Sequence, residues 1–211
     1  MGENGRHGIT RPSMHRSGRR AVTPPGKVRI IGGRWRGTRL AVPAAPGLRP
    51  TSDRARETLF NWLQPALPGA RVLDLFAGTG VLGLEALSRG AAEALLVERD
   101  QVLARALDDS LRRLDAGTVA RVVRADAIDL LATPLHGRFD IVFIDPPFDG
   151  GLWQPAVAAL GPWLADEAWL YLESPPDARV EPGPEWLSHR ESRSRDARHA
   201  LYRRGPGSGS G

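Results

Sequence analysis

Arg71-Val72-Leu73-Asp74-Leu75-Phe76-Ala77-Gly78-Thr79-Gly80-Val81-Leu82-Gly83 reads as an apolar strand running into a glycine loop and then a helix. Glycines in such a loop permit positive φ and let a ligand approach the backbone closely. Gly78, Gly80 and Gly83 satisfy G-x-G-x-x-G, and Glu98 follows about twenty residues on, as a dinucleotide site requires. The spacing alone is therefore ambiguous. Asp74 decides against the dinucleotide, because a carboxylate at the strand end would repel a pyrophosphate, whereas it tolerates the cationic S-adenosylmethionine. Glycines serving only a tight strand-to-helix turn would account for the loop but for neither acid.

Working outward from this unit, strands and helices alternate. Strands are expected over 71–76, 94–98, 120–124, 139–144 and 168–173, and helices over 80–89, 100–114, 126–132 and 152–164. Two last strands near 186–191 and 199–204 close the sheet as a hairpin. This is a βαβ series, an α/β Rossmann-like fold with a mostly parallel seven-stranded sheet. Upstream, Thr51 or Ser52 caps a helix through Leu63, with Ala55, Leu59, Phe60 and Leu63 as its core stripe. Arg54, Arg56 and Glu57 then line its outer or ligand-facing side. Before that helix, 27–31 and 34–42 read as a β-hairpin joined at Gly32-Gly33, with Arg34 and Arg36 on one face and Trp35 and Leu40 behind.

Ligands in such sheets bind beyond the carboxyl ends of the strands. Asp74, Glu98, Asp126 and Asp145 accordingly ring one crevice. Glu98 is placed to accept ribose hydroxyls and Asp126 an adenine amino group, although Asp126 also precedes a helical run and suits an N-cap. The fourth acid opens Asp145-Pro146-Pro147-Phe148, directly after the apolar run Phe139–Ile144. Two prolines fix φ and remove two backbone donors, so the strand ends with carbonyl oxygens turned outward. An exocyclic amine on a planar base can donate to the Asp145 carboxylate and a proline carbonyl while Phe148 stacks on the ring. That arrangement suits amine methylation.

Together with these two motifs, Arg29-Ile30-Ile31-Gly32-Gly33-Arg34-Trp35-Arg36-Gly37 and Gly47-Leu48-Arg49-Pro50-Thr51-Ser52-Asp53-Arg54-Ala55-Arg56-Glu57-Thr58-Leu59-Phe60-Asn61-Trp62-Leu63 make the chain resemble the RsmD family of 16S ribosomal RNA guanine-N2 methyltransferases over residues 27 to 204. The resemblance implies a class I methyltransferase fold with an N-terminal hairpin extension, S-adenosylmethionine as donor, and one guanine of the small-subunit RNA as acceptor. The donor site expected comprises Asp74, Phe76, Ala77, Gly78, Gly80, Glu98, Arg99, Asp126 and Ala127, with Thr51 and Arg54. The catalytic set is Asp145, Pro146, Pro147 and Phe148. RNA contacts are expected from Arg29, Arg34, Trp35, Arg36, Arg39 and Arg56. The partner is 16S ribosomal RNA or the assembling small subunit, and the chain is expected to act as a monomer. The rival readings are an adenine-N6 methyltransferase, a non-catalytic RNA-binding assembly factor on the same fold, and a nicotinamide oxidoreductase.

Composition agrees with an RNA partner. Residues 1–50 hold eleven Lys and Arg against one acid, a net of +10, which leaves the remaining 161 residues at −5. Such polarity reads as a basic arm on a mildly acidic enzyme. Of the 29 basic residues 28 are Arg, which favours bidentate phosphate and guanine contacts. A basic tail over 1–26 without apolar periodicity is expected to be disordered, 27–50 to form the RNA-binding extension, 51–204 the methyltransferase domain, and 205–211 a flexible end. Zero cysteines exclude thiolate nucleophiles and cysteine zinc sites. His7, His15, His136, His189 and His199 lack metal-ligand spacing and read as surface or partner-facing residues, so no metal is expected. No apolar run is long enough to cross a bilayer, and a cytoplasmic location is expected.

Overall fold

The computed structural model describes residues 26–44 and 52–205. The expectations for 1–25, for Gly47–Thr51 and for 206–211 lie outside them. Among the described residues nine strands, β1 Gly26–Arg29, β2 Arg39–Val42, β3 Arg71–Asp74, β4 Glu93–Val97, β5 Ala120–Val123, β6 Phe139–Ile144, β7 Leu164–Ser174, β8 Trp186–Arg193 and β9 Arg198–Arg204, accompany five α-helices. The helices are α1 Asp53–Leu63, α2 Val81–Ser88, α3 Gln101–Arg113, α4 Ala127–Leu131 and α5 Trp153–Ala159. Seven strands form one sheet in the order β5-β4-β3-β6-β7-β9-β8. The first five run parallel, and β9 then pairs antiparallel with both β7 and β8.

The chain winds from β3 to β5 in one direction and returns to place β6 on β3's other side. That reversal opens the crevice in which open α/β sheets bind ligands. Burial on both faces explains the near-continuous apolar strands. Val72, Ile141 and Phe143 point into the core beneath α1, α2 and α3, and Leu73, Val142 and Ile144 into the core beneath α4 and α5. Three helices have side-chain caps at their N-termini. Asp100 caps α3 by accepting from Val102 and Leu103 N–H at 2.8 and 3.0 Å, and Asp126 caps α4 through Ile128 N–H at 2.9 Å. Ser52, of the two residues expected to cap α1, accepts from Ala55 N–H at 3.2 Å.

Three expectations need correction. The helix expected to 164 stops at Ala159, because Pro162 cannot donate to the carbonyl one turn back and Gly161-Pro162-Trp163 tighten into a 3-10 turn. Strand β7 therefore starts at Leu164. The N-terminal hairpin does not turn at Gly32-Gly33. Its ladder pairs Arg29 with Arg39, continues where Ile30 N–H donates to the Thr38 carbonyl at 2.9 Å, and turns over 33–38. The two glycines instead seat the loop on α2: Gly33 has φ +72, and a Cβ there would lie 1.7 Å from the Ser88 carbonyl oxygen. Arg34 and Arg36 thus belong to the turn and not to a strand face. Finally, the core stripe of α1 is Arg56, Leu59, Phe60 and Leu63, with Arg56 occupying an inward position.

Candidate active site

A cavity of about 510 Å³ opens beyond the carboxyl ends of the parallel strands. Its floor is the glycine loop after β3. Gly78 and Gly80 hold φ of +53 and +75, and a Cβ on Gly80 would fall 2.4 Å from Leu107 Cδ2. The loop's donors are turned inward: Ala77 N–H to the Val97 carbonyl, Gly78 N–H to Glu98 Oε2 at 2.9 Å, and Gly80 N–H to the Ala77 carbonyl. At the start of α2, Gly83 N–H donates to Asp74 Oδ2 at 3.0 Å. The N–H groups of all three motif glycines, Gly78, Gly80 and Gly83, are therefore already committed, and a carboxylate stands at the helix terminus where an anion would bind. The literal G-x-G-x-x-G match is not a diphosphate cradle.

The donor set fits a cation bearing hydroxyl and amine groups. Asp74 is only 2% exposed. Burial pushes its carboxyl up to about 7, with the charge of Glu98 adding to the effect against the N–H groups of Gly83 and Phe76. Glu98 accepts from Asp100 N–H at 2.7 Å as well as from Gly78 N–H, which fixes its orientation, and burial raises its pKa also. Asp126 lies 3.8 Å from the Arg99 guanidinium at the rim. It both caps α4 and lines the cavity, so the two readings of this residue are compatible.

The opposite wall is the Asp145–Phe148 loop. Ile144 pairs with Leu172 at the end of β6, so Asp145 emerges beside β7 at the switch point. The Pro147 carbonyl accepts from Gly150 N–H at 3.1 Å, which folds the end of this loop back on itself. Phe148 is half-buried, its ring 5.9 Å from Trp153 at 55°. Trp153 is anchored in turn by its indole N–H on the Glu173 carbonyl at 2.6 Å.

Of the expected donor residues, the cavity gathers Asp74, Phe76, Ala77, Gly78, Glu98, Arg99, Asp126 and Ala127. Gly80 supports the loop from behind. Arg54 is exposed and outside the lining, where Ser52 stands instead. Arg29, Arg34, Arg36 and Arg39 are exposed, and Trp35 is half-buried under the Arg34 guanidinium at 4.1 Å. Arg29 and Arg39 are cross-strand partners on the solvent face, while Val28 and Leu40, the next pair in the ladder, point inward.

Arg56, expected among the RNA contacts, has no exposed surface. It is fully buried, donating to the Arg29 carbonyl at 2.9 Å and to Asp53 Oδ1 at 2.6 Å, and lying 3.6 Å from Glu85. Glu85, also fully buried, accepts from Ile31 and Gly32 N–H and from Arg89, all at 2.7 Å. These groups clamp the hairpin loop to α1 and α2. His199 likewise departs from the surface reading: it is buried at 6% exposure and meets the Tyr171 hydroxyl. Glu173, Ser194, Asp196 and Ala197 also line the cavity without having been singled out. For Glu173 the signal existed. Glu173-Ser174-Pro175-Pro176 ends β7 as Asp145-Pro146-Pro147 ends β6, and the rule of acids at strand ends extends to it. Among the described residues no His, Asp or Glu cluster suits a metal ion, and no helix is long and apolar enough to cross a membrane.

The family model described as conserved hypothetical protein 95 matches residues 28–203. Ribosomal RNA small subunit methyltransferase D of Escherichia coli K12 is 49% identical over 185 residues, 85% of this chain and 91% of its own length. The protein of the same name in Haemophilus influenzae is 40% identical over 181 residues, covering 84% of this chain and 94% of its own. The solved structure of yhhF from Escherichia coli superposes with a TM-score of 0.77 at 49% identity, over 85% of this chain and 99% of that one.

Proposed function

Because the chain belongs to the RsmD family of class I methyltransferases, we propose that it methylates the exocyclic N2 amine of one guanine in the 16S RNA of the small ribosomal subunit. The observation that carries this reading is the meeting of the glycine loop and the Asp145–Phe148 loop across one cavity at the switch point of the sheet. S-adenosylmethionine, when bound, supplies a methyl group on a cationic sulfonium. Asp74, Phe76, Ala77, Gly78, Glu98, Arg99, Asp126 and Ala127 hold it. Glu98 takes the ribose hydroxyls and Asp126 the adenine amino group, both as hydrogen-bond acceptors.

The chain's main task at the acceptor is alignment, because the lone pair of a guanine amine is delocalised into the ring. Asp145 and the Pro146 carbonyl accept the two N2 hydrogens and so fix the direction of the nitrogen lone pair. Phe148, steadied by Trp153, stacks on the base and offsets about 1–3 kcal/mol of the cost of leaving its stack. Asp145 receives the proton that the methylated amine gives up. Holding both reactants in register lowers the barrier without a covalent intermediate. The hairpin with Arg29, Arg34, Trp35, Arg36 and Arg39 docks the RNA, presented as free 16S RNA or within the assembling subunit, and a monomer suffices for this arrangement.

The test is mass spectrometry of nucleosides from small-subunit RNA incubated with the protein and isotopically labelled S-adenosylmethionine. Labelled N2-methylguanosine at a single position is expected. Labelled N6-methyladenosine, or no transfer to the RNA, refutes the proposal.

A further inference from the structure

Tyr171, Glu173 and His199 form a buried polar chain beside Asp145 that the donor site does not use. Register places it: Ile144 pairs with Leu172, so Asp145 and Glu173 stand side by side at the ends of adjacent strands, and Glu173 pairs with His199 across β7 and β9. Both Glu173 and His199 line the cavity, at 8% and 6% exposure. The Tyr171 hydroxyl donates to Glu173 Oε2 at 3.0 Å and meets His199 Nδ1 at 2.8 Å. A hydroxyl has one proton. With the hydroxyl proton directed at Glu173 Oε2, the imidazole must donate from Nδ1, so the donors run from His199 through Tyr171 to the Glu173 carboxyl group as acceptor. The chain orients the Glu173 carboxyl group next to Asp145, in a place where burying an unsupported polar group would be costly.

We propose that Glu173 reads the acceptor base by accepting the ring N1–H of guanine while Asp145 and Pro146 hold the N2 amine, which makes this carboxylate the residue that selects guanine over adenine. The inference rests on the guanine-N2 reading above. Guanine carries its N1–H and N2–H donors next to each other on one edge, and adjacent strands about 4.8 Å apart present two neighbouring carboxylates to that edge. Adenine carries an N1 lone pair beside its amine, and this lone pair would face the Glu173 carboxylate without a proton between them. A site built to pair with a donor rejects an analogue lacking it far more strongly than a shape difference does. The two oxygens of a carboxylate offer about four acceptor sites, so Tyr171 and His199 act as positioning residues while Glu173 meets the base.

The experiment uses the full chain and small-subunit RNA in which the guanine that mass spectrometry identifies as the wild-type target is replaced by 2-aminopurine. This base keeps the 2-amino group but has an N1 lone pair in place of N1–H. Wild-type protein should prefer guanine by at least about 100-fold in kcat/KM. Glu173→Gln, which can turn an amide N–H toward that lone pair, should bring the ratio to within about tenfold with donor affinity unchanged. Tyr171→Phe keeps the buried ring and removes only the hydroxyl that orients Glu173, and should lower the ratio about tenfold by an intermediate route. It also serves where Glu173→Gln does not fold. If wild-type protein yields N2-methylguanosine but the folded variants keep the wild-type ratio, the role of Glu173 is overturned while the function stands. If wild-type protein yields no N2-methylguanosine, the function falls and this inference with it.

Discussion

Replacing Arg56 by Met separates a packing role from an RNA contact at the one arginine whose position reverses its expected use. The thioether keeps the stem that packs beside Leu59, Phe60 and Leu63 and removes the guanidinium. Lost are the charge-assisted bond to the Arg29 carbonyl, about 1.5–3 kcal/mol, and the pair with half-exposed Asp53, about 0.2–1 kcal/mol. Glu85 also loses a neighbouring cation but keeps Arg89 and two backbone N–H groups, so the full cost of orphaning a buried charge does not apply. Relief of the buried Arg56 Nε, which has no hydrogen-bond partner, works the other way. The net is about 2–3 kcal/mol of destabilisation, equivalent to about 4–12 °C in Tm for a domain of this size. Thermal unfolding followed by circular dichroism measures it. RNA affinity, assayed well below the variant's Tm, should stay within about twofold of wild type. An unchanged Tm together with a large loss of RNA affinity would refute the buried clamp.

Three further outcomes are expected. Asp145→Ala should abolish transfer while calorimetry still records donor binding, because its carboxylate serves the acceptor amine; equal loss of both would contradict that division. Asp74 titrates near 7 in the donor-free fold against about 3.9 unfolded, so it stabilises the chain below pH 4 and that contribution is lost as pH rises to about 7. The cationic donor favours the ionised form, so its affinity should rise with pH through about 7, with protons released on binding below that pH. Calorimetry in two buffers reads this, and a pH dependence that survives in Asp74→Asn would refute the assignment. Neutralising Arg34 and Arg36 together should make the log–log salt slope of RNA binding shallower by about 1.5–2 without changing donor affinity, and an unaltered slope would remove the hairpin turn from the RNA path.

How much of this was legible in the sequence follows from how far each residue's partners lie along the chain. The strand-loop-helix around Asp74 and the Asp145–Phe148 turn were readable because their conformations are set locally, by φ-permissive glycines and φ-fixed prolines at the ends of apolar runs. The parallel sheet and the gathering of Asp74, Glu98, Asp126 and Asp145 followed, since alternating strands and helices bring strand ends to one edge. Tertiary structure decided the rest. Gly32-Gly33 looked like a hairpin turn, and became a docking point because Glu85, 53 residues away, accepts the Gly32 N–H. Arg56 looked like a surface cation on a helix, and became a core residue because Glu85 and the Arg29 carbonyl supply the partners that let a charge be buried. His199 and Glu173 lie far apart in sequence, and only the antiparallel register of β7 and β9 joins them through Tyr171. A sequence states which residues carry charge and which runs are apolar. Whether a given charge faces water, a ligand or another charge is fixed by the distant segment packed against it, where the cost of desolvation is either met by a partner or forbids the burial.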